Sequence, residues 1–186
     1  MSEDSEAGRR RRQAFQQAVT GTVFEYQSLG SEMNQRYVST GVYQADQGTA
    51  PGFRKDPVLE YQPTTYPGAR VPHAWLNTTV PSKTAISTID LVGKGRFTLL
   101  TGIGGSEWRS AAASTANALR VEIKVFAIGP RQDYEDSYFT WADSRGVEEA
   151  GCVLVRPDGV VAWRCKNMIP NCGARLLEVL TTILSR

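Results

Sequence analysis

The sequence predicts an α/β protein: a mixed sheet with flanking helices, preceded by an N-terminal helix and an extended proline-rich arm. Three observations point there. Apolar residues recur at helical spacing near both ends of the chain, short apolar strands separated by glycine turns fill its second half, and prolines crowd the stretch from 51 to 81. A length of 186 residues, with 41% hydrophobic and 22% charged residues, suits one soluble domain with an appendage. The formal net charge of +2 gives no argument for a nucleic-acid partner. No long apolar run and no secretory leader is readable, so a cytoplasmic protein with no membrane span is expected.

Taken in order, the elements are these. Phe15, Val19, Val23 and Tyr26 recur every three or four residues and predict a helix from Ala7 to about Leu29. Its acidic first turn precedes Arg9 to Arg12 and allows a Glu6–Arg10 pair. Tyr37 to Tyr43 alternates and predicts a strand. The arm that follows carries Pro51, Pro57, Pro63, Pro67, Pro72 and Pro81, which exclude a helix or a central strand. Its aromatic residues, Phe53, Tyr61, Tyr66 and Trp75, predict that it packs on something.

Phe97–Thr101 predicts a buried strand, and Ser106 a helix N-cap for a helix running to about Leu119. Val121–Ile128 predicts a second strand. Cys152–Val155 and Val160–Arg164, joined by Pro157-Asp158-Gly159, predict a hairpin. A last helix, from about Gly173 to Ser185, presents Leu176, Leu177, Leu180, Ile183 and Leu184. The order strand, helix, strand, crossover, hairpin, helix is that of a thioredoxin-like layer. The expected organisation is therefore 1–50 helix and strand, 51–84 arm, and 85–186 thioredoxin-like domain.

In such a fold, redox cysteines sit where the first strand enters its helix. That junction reads Thr101-Gly102-Ile103-Gly104-Gly105-Ser106 and has no thiol, which excludes thioredoxin-type chemistry. Its glycines suit a tight turn or an anion-binding loop; the Lys of a phosphate loop and the G-x-G-x-x-G spacing are both missing. The three cysteines, Cys152, Cys165 and Cys172, have neither disulfide nor zinc-site spacing and read as reduced packing groups, so no metal is expected.

Four segments carry a family resemblance: "EMNQRYVSTGVY" (32–43), "YPGARVPHAWL" (66–76), "DLVGKGRFTLLTGIGGSEW" (90–108) and "GCVLVRPDGVVAWR" (151–164). On these the chain resembles the C-terminal part of FAD-dependent aromatic hydroxylases of the phenol 2-monooxygenase and chlorophenol monooxygenase group. The resemblance implies a thioredoxin-like domain without redox role that aids dimer contacts, preceded by the tail of the flavin domain. Those hydroxylases hold FAD through an N-terminal G-x-G-x-x-G fingerprint and a later Gly-Asp motif, which this sequence lacks. One further departure is Val160, where they often carry His. Alone, the chain is expected to bind no FAD and to use no cofactor.

Two readings of function follow. The first is a free-standing, cofactor-independent isomerase or cyclase, including acid-promoted epoxide opening, acting on an aromatic, polyketide or alkaloid intermediate of secondary metabolism. The second is a non-catalytic dimerisation or binding module, or a C-terminal fragment of an FAD-dependent phenol hydroxylase. For the first, the sole histidine, His73, is the candidate acid, or a structural pin for the arm. Arg70 is a candidate anion holder, or the ion-pair partner of Asp90. Asp90 and Glu107 are candidate carboxylic acids, or an ordinary strand-start and first-turn residue. Tyr26, Tyr66, Trp75 and Trp108 are candidate walls of an aromatic pocket, or core. Expected partners are an aromatic or polycyclic small molecule, a second copy in a homodimer, and a separate flavin monooxygenase.

Overall fold

The computed structural model describes residues 2–78, 80 and 85–186. The chain divides into two compact units, Met1–Asn34 with Phe53–Gln62, and Gln35–Gly52 with Pro63–Arg186. This division cuts across the expected boundaries after 50 and 84, because residues 35–52 and the later half of the arm bond to the sheet of the larger unit. The arm's last residues, 81–84 with Pro81, lie outside the described residues.

The smaller unit holds three helices: α1 (Glu6–Gly21), α2 (Val23–Tyr26) and α3 (Leu29–Met33). Ser5 caps α1 by accepting from the Gly8 N–H, and the expected Glu6–Arg10 pair forms. The single helix expected to Leu29 breaks at Thr22, whose hydroxyl donates to the Val19 carbonyl and competes with the helical pattern. Its apolar stripe is not buried within this unit: Phe15 is 55% and Tyr26 82% exposed. The Phe53–Gln62 segment is clipped to α3 through Asn34, which donates to the Pro57 and Glu60 carbonyls and accepts from the Gln62 N–H. Gly30 lets that backbone approach, since a Cβ there would lie 2.3 Å from the Pro57 oxygen.

The larger unit contains β1 (Trp75–Thr78), β2 (Ile86–Ser87), α4 (Thr88–Leu91), β3 (Phe97–Thr101), α5 (Ser106–Leu119), β4 (Ile123–Ala127) and β5 (Tyr134–Glu135), then α6 (Thr140–Ser144), β6 (Cys152–Val155), β7 (Val161–Cys165) and α7 (Cys172–Ile183). The main sheet has the order β4-β3-β6-β7, with β3 and β4 parallel and the β6–β7 hairpin antiparallel. This is the thioredoxin-like arrangement. Gly159, at φ 83°, makes the hairpin turn that Pro157-Asp158-Gly159 announces.

All five residues of β3 and all four of β6 are buried, so both faces of the sheet are covered. Alternation then sorts the side chains, with a bulge in the β6–β7 pairing turning Val161 and Trp163, two residues apart, to opposite faces. Leu99, Leu154 and Trp163 face a core closed by Trp108, Ala112, Leu176 and Leu180 of α5 and α7. Leu100, Val153 and Val161 face a second core closed by Val71, Ala74, Leu76, Leu91 and Trp141, from the arm, α4 and α6. The arm reaches this position along the outer edge of β7: Gly68 N–H donates to the Val161 carbonyl, Val161 N–H to Ala69, and Val71 N–H to Gly159. Gly68, at φ 98°, makes the approach feasible, because a Cβ would sit 2.2 Å from the Tyr37 oxygen.

Several expectations are corrected. Tyr37–Tyr43 forms no strand; an isolated Arg36–Ala69 bridge is all its start contributes. Val38 is 85% exposed whereas Val42 is buried, so alternate residues of this segment do not share one buried face. Part of the arm does become a strand. Residues 75–78 lie between two prolines and keep their own N–H groups, so β1 pairs with β2 through Trp75 and Leu76, and with β5 through Asn77 and Thr78. The N-cap of α5 is Gly105 rather than Ser106.

Residues 43–47 are latched to the hairpin and α7. Asp46 accepts from Trp163 Nε1 (2.9 Å) and from Arg175 (2.8 Å), and the Arg175 guanidinium lies over the Tyr43 ring. Burial pushes the Asp46 carboxyl up, but hydrogen bonds from Arg175, Trp163 and Gln47 outweigh it and hold the group below its ordinary 3.8. A depressed carboxyl stabilises the fold above the unfolded value and loses that contribution as pH falls through the folded value. Asp46→Asn is therefore expected to cost ~1 kcal/mol at neutral pH and to flatten the acid limb below about pH 4. Melting temperatures from pH 3 to 7 check this; an unchanged acid limb would refute it.

Candidate functional site

The sole histidine sits where the arm meets the start of α4. Ser87 is the N-cap of α4, and Asp90 completes a capping box: Ser87 Oγ accepts from the Ile89 N–H (3.1 Å), while Asp90 Oδ2 accepts from the Ser87 N–H (2.8 Å). His73 Nδ1 lies 2.7 Å from the same Ser87 Oγ. The two groups share one hydrogen bond whose direction follows the ring's tautomer, since the hydroxyl can both donate and accept. The imidazole is exposed, and its edge meets Trp75 at 4.7 Å between centroids and 88° between planes. One residue on, Thr88 locks the arm: its hydroxyl donates to the Pro72 carbonyl (2.6 Å) and accepts from the Ala74 N–H (2.9 Å).

Three residues are thus gathered, His73, Ser87 and Asp90, but in an order that serves a helix cap. Nucleophilic catalysis needs a carboxylate behind the histidine to orient it. Here the Asp90 carboxylate bonds the serine's backbone N–H instead. The arrangement pins the arm.

The other candidates are dispersed. Arg70 is exposed beside the β7 edge and bridged to Val160, while the Asp90 carboxylate it was expected to pair with accepts from the Ser87 N–H. Glu107 is exposed in the first turn of α5. Trp108 is fully buried, donates to the Ala150 carbonyl (3.0 Å) and packs edge-on against Trp163. Tyr66 is 8% exposed; its hydroxyl donates to the Gly48 carbonyl, and Arg164 lies over its ring. Trp75 is 50% exposed, and Tyr26 belongs to the smaller unit. Trp108, Tyr66 and Trp75 therefore occupy three different settings within the larger unit, not one aromatic pocket. Ser87 and Thr88 were overlooked in the sequence, although Ser87-x-x-Asp90 has capping-box spacing.

The glycine junction is filled by the chain itself. A Cβ on Gly105 would lie 1.9 Å from Thr101 Oγ1, and one on Gly102 would lie 2.6 Å from the Glu149 oxygen. These glycines admit neighbouring protein atoms and leave no cradle for a pyrophosphate, so the loop does not fit a flavin dinucleotide. The cysteines are free, and burial raises the Cys152 thiol well above its ordinary value, keeping it protonated. Among the described residues no His, Cys, Asp and Glu cluster is placed to hold a metal, and no helix is long and apolar enough to cross a membrane.

A cap joined to a pin predicts unequal losses. Ser87→Ala removes the cap and the histidine's partner together and is expected to cost ~1–2 kcal/mol in urea unfolding. His73→Ala, at an exposed ring, is expected to cost less than ~1 kcal/mol. A larger loss for His73→Ala than for Ser87→Ala would show that the histidine, not the cap, holds the arm.

The sequence model of the family described as "Aromatic-ring hydroxylase, C-terminal" matches residues 64–186. The chain is 40% identical over 185 residues to a 2,4-dichlorophenol 6-monooxygenase of Delftia acidovorans, covering all of this chain and 31% of that protein. It is 38% identical over 179 residues to a phenol 2-monooxygenase of a Pseudomonas species, covering 96% of this chain and 29% of the relative. Among solved structures, the flavin-dependent monooxygenase PieE in complex with FAD and substrate superposes with a TM-score of 0.84 at 42% identity, over 99% of this chain and 31% of that one. The chain thus spans under a third of the length of these relatives. With the family model covering most of the thioredoxin-like unit, and relatives at this identity covering the whole sequence, the chain belongs to the aromatic-ring hydroxylase family through its C-terminal domain.

Proposed function

We propose that this chain works as the C-terminal segment of an FAD-dependent aromatic hydroxylase, a non-catalytic part of an enzyme whose flavin chemistry is done by the remaining two-thirds. The observation that carries this reading is the extent of the likeness: nearly the whole chain aligns, yet with less than a third of each relative. The geometry supports it. The glycine junction is packed with the chain's own atoms, and His73, Ser87 and Asp90 are engaged in a helix cap that holds the arm. The substrate of the whole enzyme is a small aromatic molecule, of the phenol or polycyclic phenol class. A homodimer and a cytoplasmic location go with the proposal. No observation gathers His73, Asp90, Arg70 and Glu107 around one cavity, so a cofactor-independent isomerase or cyclase has no geometric support.

A chimera tests this. The matching portion of the Delftia acidovorans enzyme is replaced by this chain, and chlorophenol hydroxylation is measured. Retention of at least about a tenth of parental turnover, a loss of no more than ~1.4 kcal/mol in barrier, is expected. The isolated chain is expected to bind no flavin and to turn over no phenol. Bound flavin absorbance in the isolated chain, or flavin-free turnover of an aromatic epoxide abolished by His73→Ala, would overturn the proposal.

A further inference from the structure

The smaller unit has no core of its own. Among the described residues its only buried positions are two glycines, Gly8 and Gly30, and both apolar cores of the chain are drawn from the larger unit. Its apolar side chains face solvent instead: Phe15, Val19, Phe24, Tyr26 and Leu29 are between 46% and 82% exposed. Phe15 and Val19 stand one turn apart on α1 with Ala14 and Ala18 beside them, while Gln13, Gln17 and Thr20 occupy the opposite side. Every residue from 11 to 20 is exposed, so nothing among the described residues covers the apolar side. A helix of 16 residues is marginal in water by itself, because helical stability in proteins comes chiefly from packing of an amphipathic face.

Two observations point to what covers it. The family model of the C-terminal domain begins at residue 64, whereas the likeness to the Delftia acidovorans hydroxylase runs over 185 residues and all of this chain. The smaller unit, residues 1–34 and 53–62, therefore lies outside the C-terminal domain but inside the stretch shared with the hydroxylase, next to the remaining two-thirds of that protein. Joined in one polypeptide, that portion meets α1 at a high effective concentration, which a second copy of the chain does not. Charge is the second observation. Arg9, Arg10 and Arg11, at the start of α1, pair with Asp4, Glu6 and Glu3, so the basic run is offset by acid and does not favour an anionic lipid surface. Resting on the hydroxylase reading, we infer that α1 is a docking helix: its Phe15–Val19 face seats in an apolar groove of the flavin-bearing portion of the enzyme, and it holds its helical form only when seated. The order of α1 is thereby tied to assembly of the whole enzyme, as for any segment that folds on its partner.

Backbone hydrogen exchange over residues 13–20 tests this, in the isolated full chain and in the chimera that carries this chain within the Delftia acidovorans enzyme. In the isolated chain, protection below ~10-fold is expected, as for a marginal helix, while β3 and β6 stay protected. In the chimera, protection of the same residues is expected to rise at least ~100-fold. Phe15→Ala improves intrinsic helix propensity but removes the ring from the docking face, and is expected to cut that rise at least ~10-fold. Val19→Ala, the milder change, is expected to cut it ~3-fold or more and serves if the Phe15→Ala chimera fails to fold. Gln17→Ala, on the opposite side, is expected to leave it within ~3-fold. Protection of α1 in the isolated chain, whether in the monomer or growing with concentration as copies associate, would overturn the inference, as would equal effects of Phe15→Ala and Gln17→Ala. A chimera that hydroxylates chlorophenol while α1 stays unprotected overturns this inference alone and leaves the hydroxylase reading standing. One that protects α1 without hydroxylating retains the docking contact and overturns that reading instead, and one that does neither ends both.

Discussion

The larger unit depends on one constraint: a sheet whose strands are apolar on both faces must be covered on both. Two long helices, α5 and α7, close one face over Leu99, Leu154 and Trp163. Among the described residues no helix of comparable length lies on the other face, and the proline-rich arm takes its place. Val71, Ala74 and Leu76 enter the second core beside Leu100 and Val153. The arm is shallow enough for this because proline and glycine keep it extended, and because its backbone groups find partners on the β7 edge. That edge is thereby protected from pairing with another chain, the usual hazard of an exposed strand.

From this follows the use made of the polar residues. An extended segment lying on an apolar surface gains little direction from the surface itself, so hydrogen bonds fix its register. Thr88 holds the backbone at Pro72 and Ala74, Ser87 takes His73, and the Asp46–Arg175–Trp163 latch ties the preceding residues 43–47 to the hairpin and α7. The side chains that look most catalytic in the sequence are spent in this way. This suits the non-catalytic role proposed for the segment.

Much of the fold was legible. Phe97–Thr101 was readable as a strand because five buried residues flanked by glycine have few alternatives, and the hairpin because Pro157-Asp158-Gly159 dictates a turn locally. The Tyr37–Tyr43 strand failed for the converse reason: alternation predicts a strand only if one face is buried along its length, and here Val38 is exposed while Val42 is buried. Of the candidate site, His73 and Asp90 were visible as residues, but their meeting at Ser87 depended on where the arm lands.

By itself, then, the sequence determined the elements with local causes: the apolar strands, the amphipathic helices, the hairpin turn, the exclusion of thiol redox chemistry at a junction without cysteine, and the family, whose segments are contiguous motifs. Tertiary structure decided the roles of side chains. Whether a histidine is an acid or a pin, or a tryptophan a pocket wall or core, depends on contacts such as His73 with Ser87, 14 residues away, and Trp108 with Ala150, 42 residues away. Those contacts arise only when packing brings distant segments together, and no local propensity encodes them.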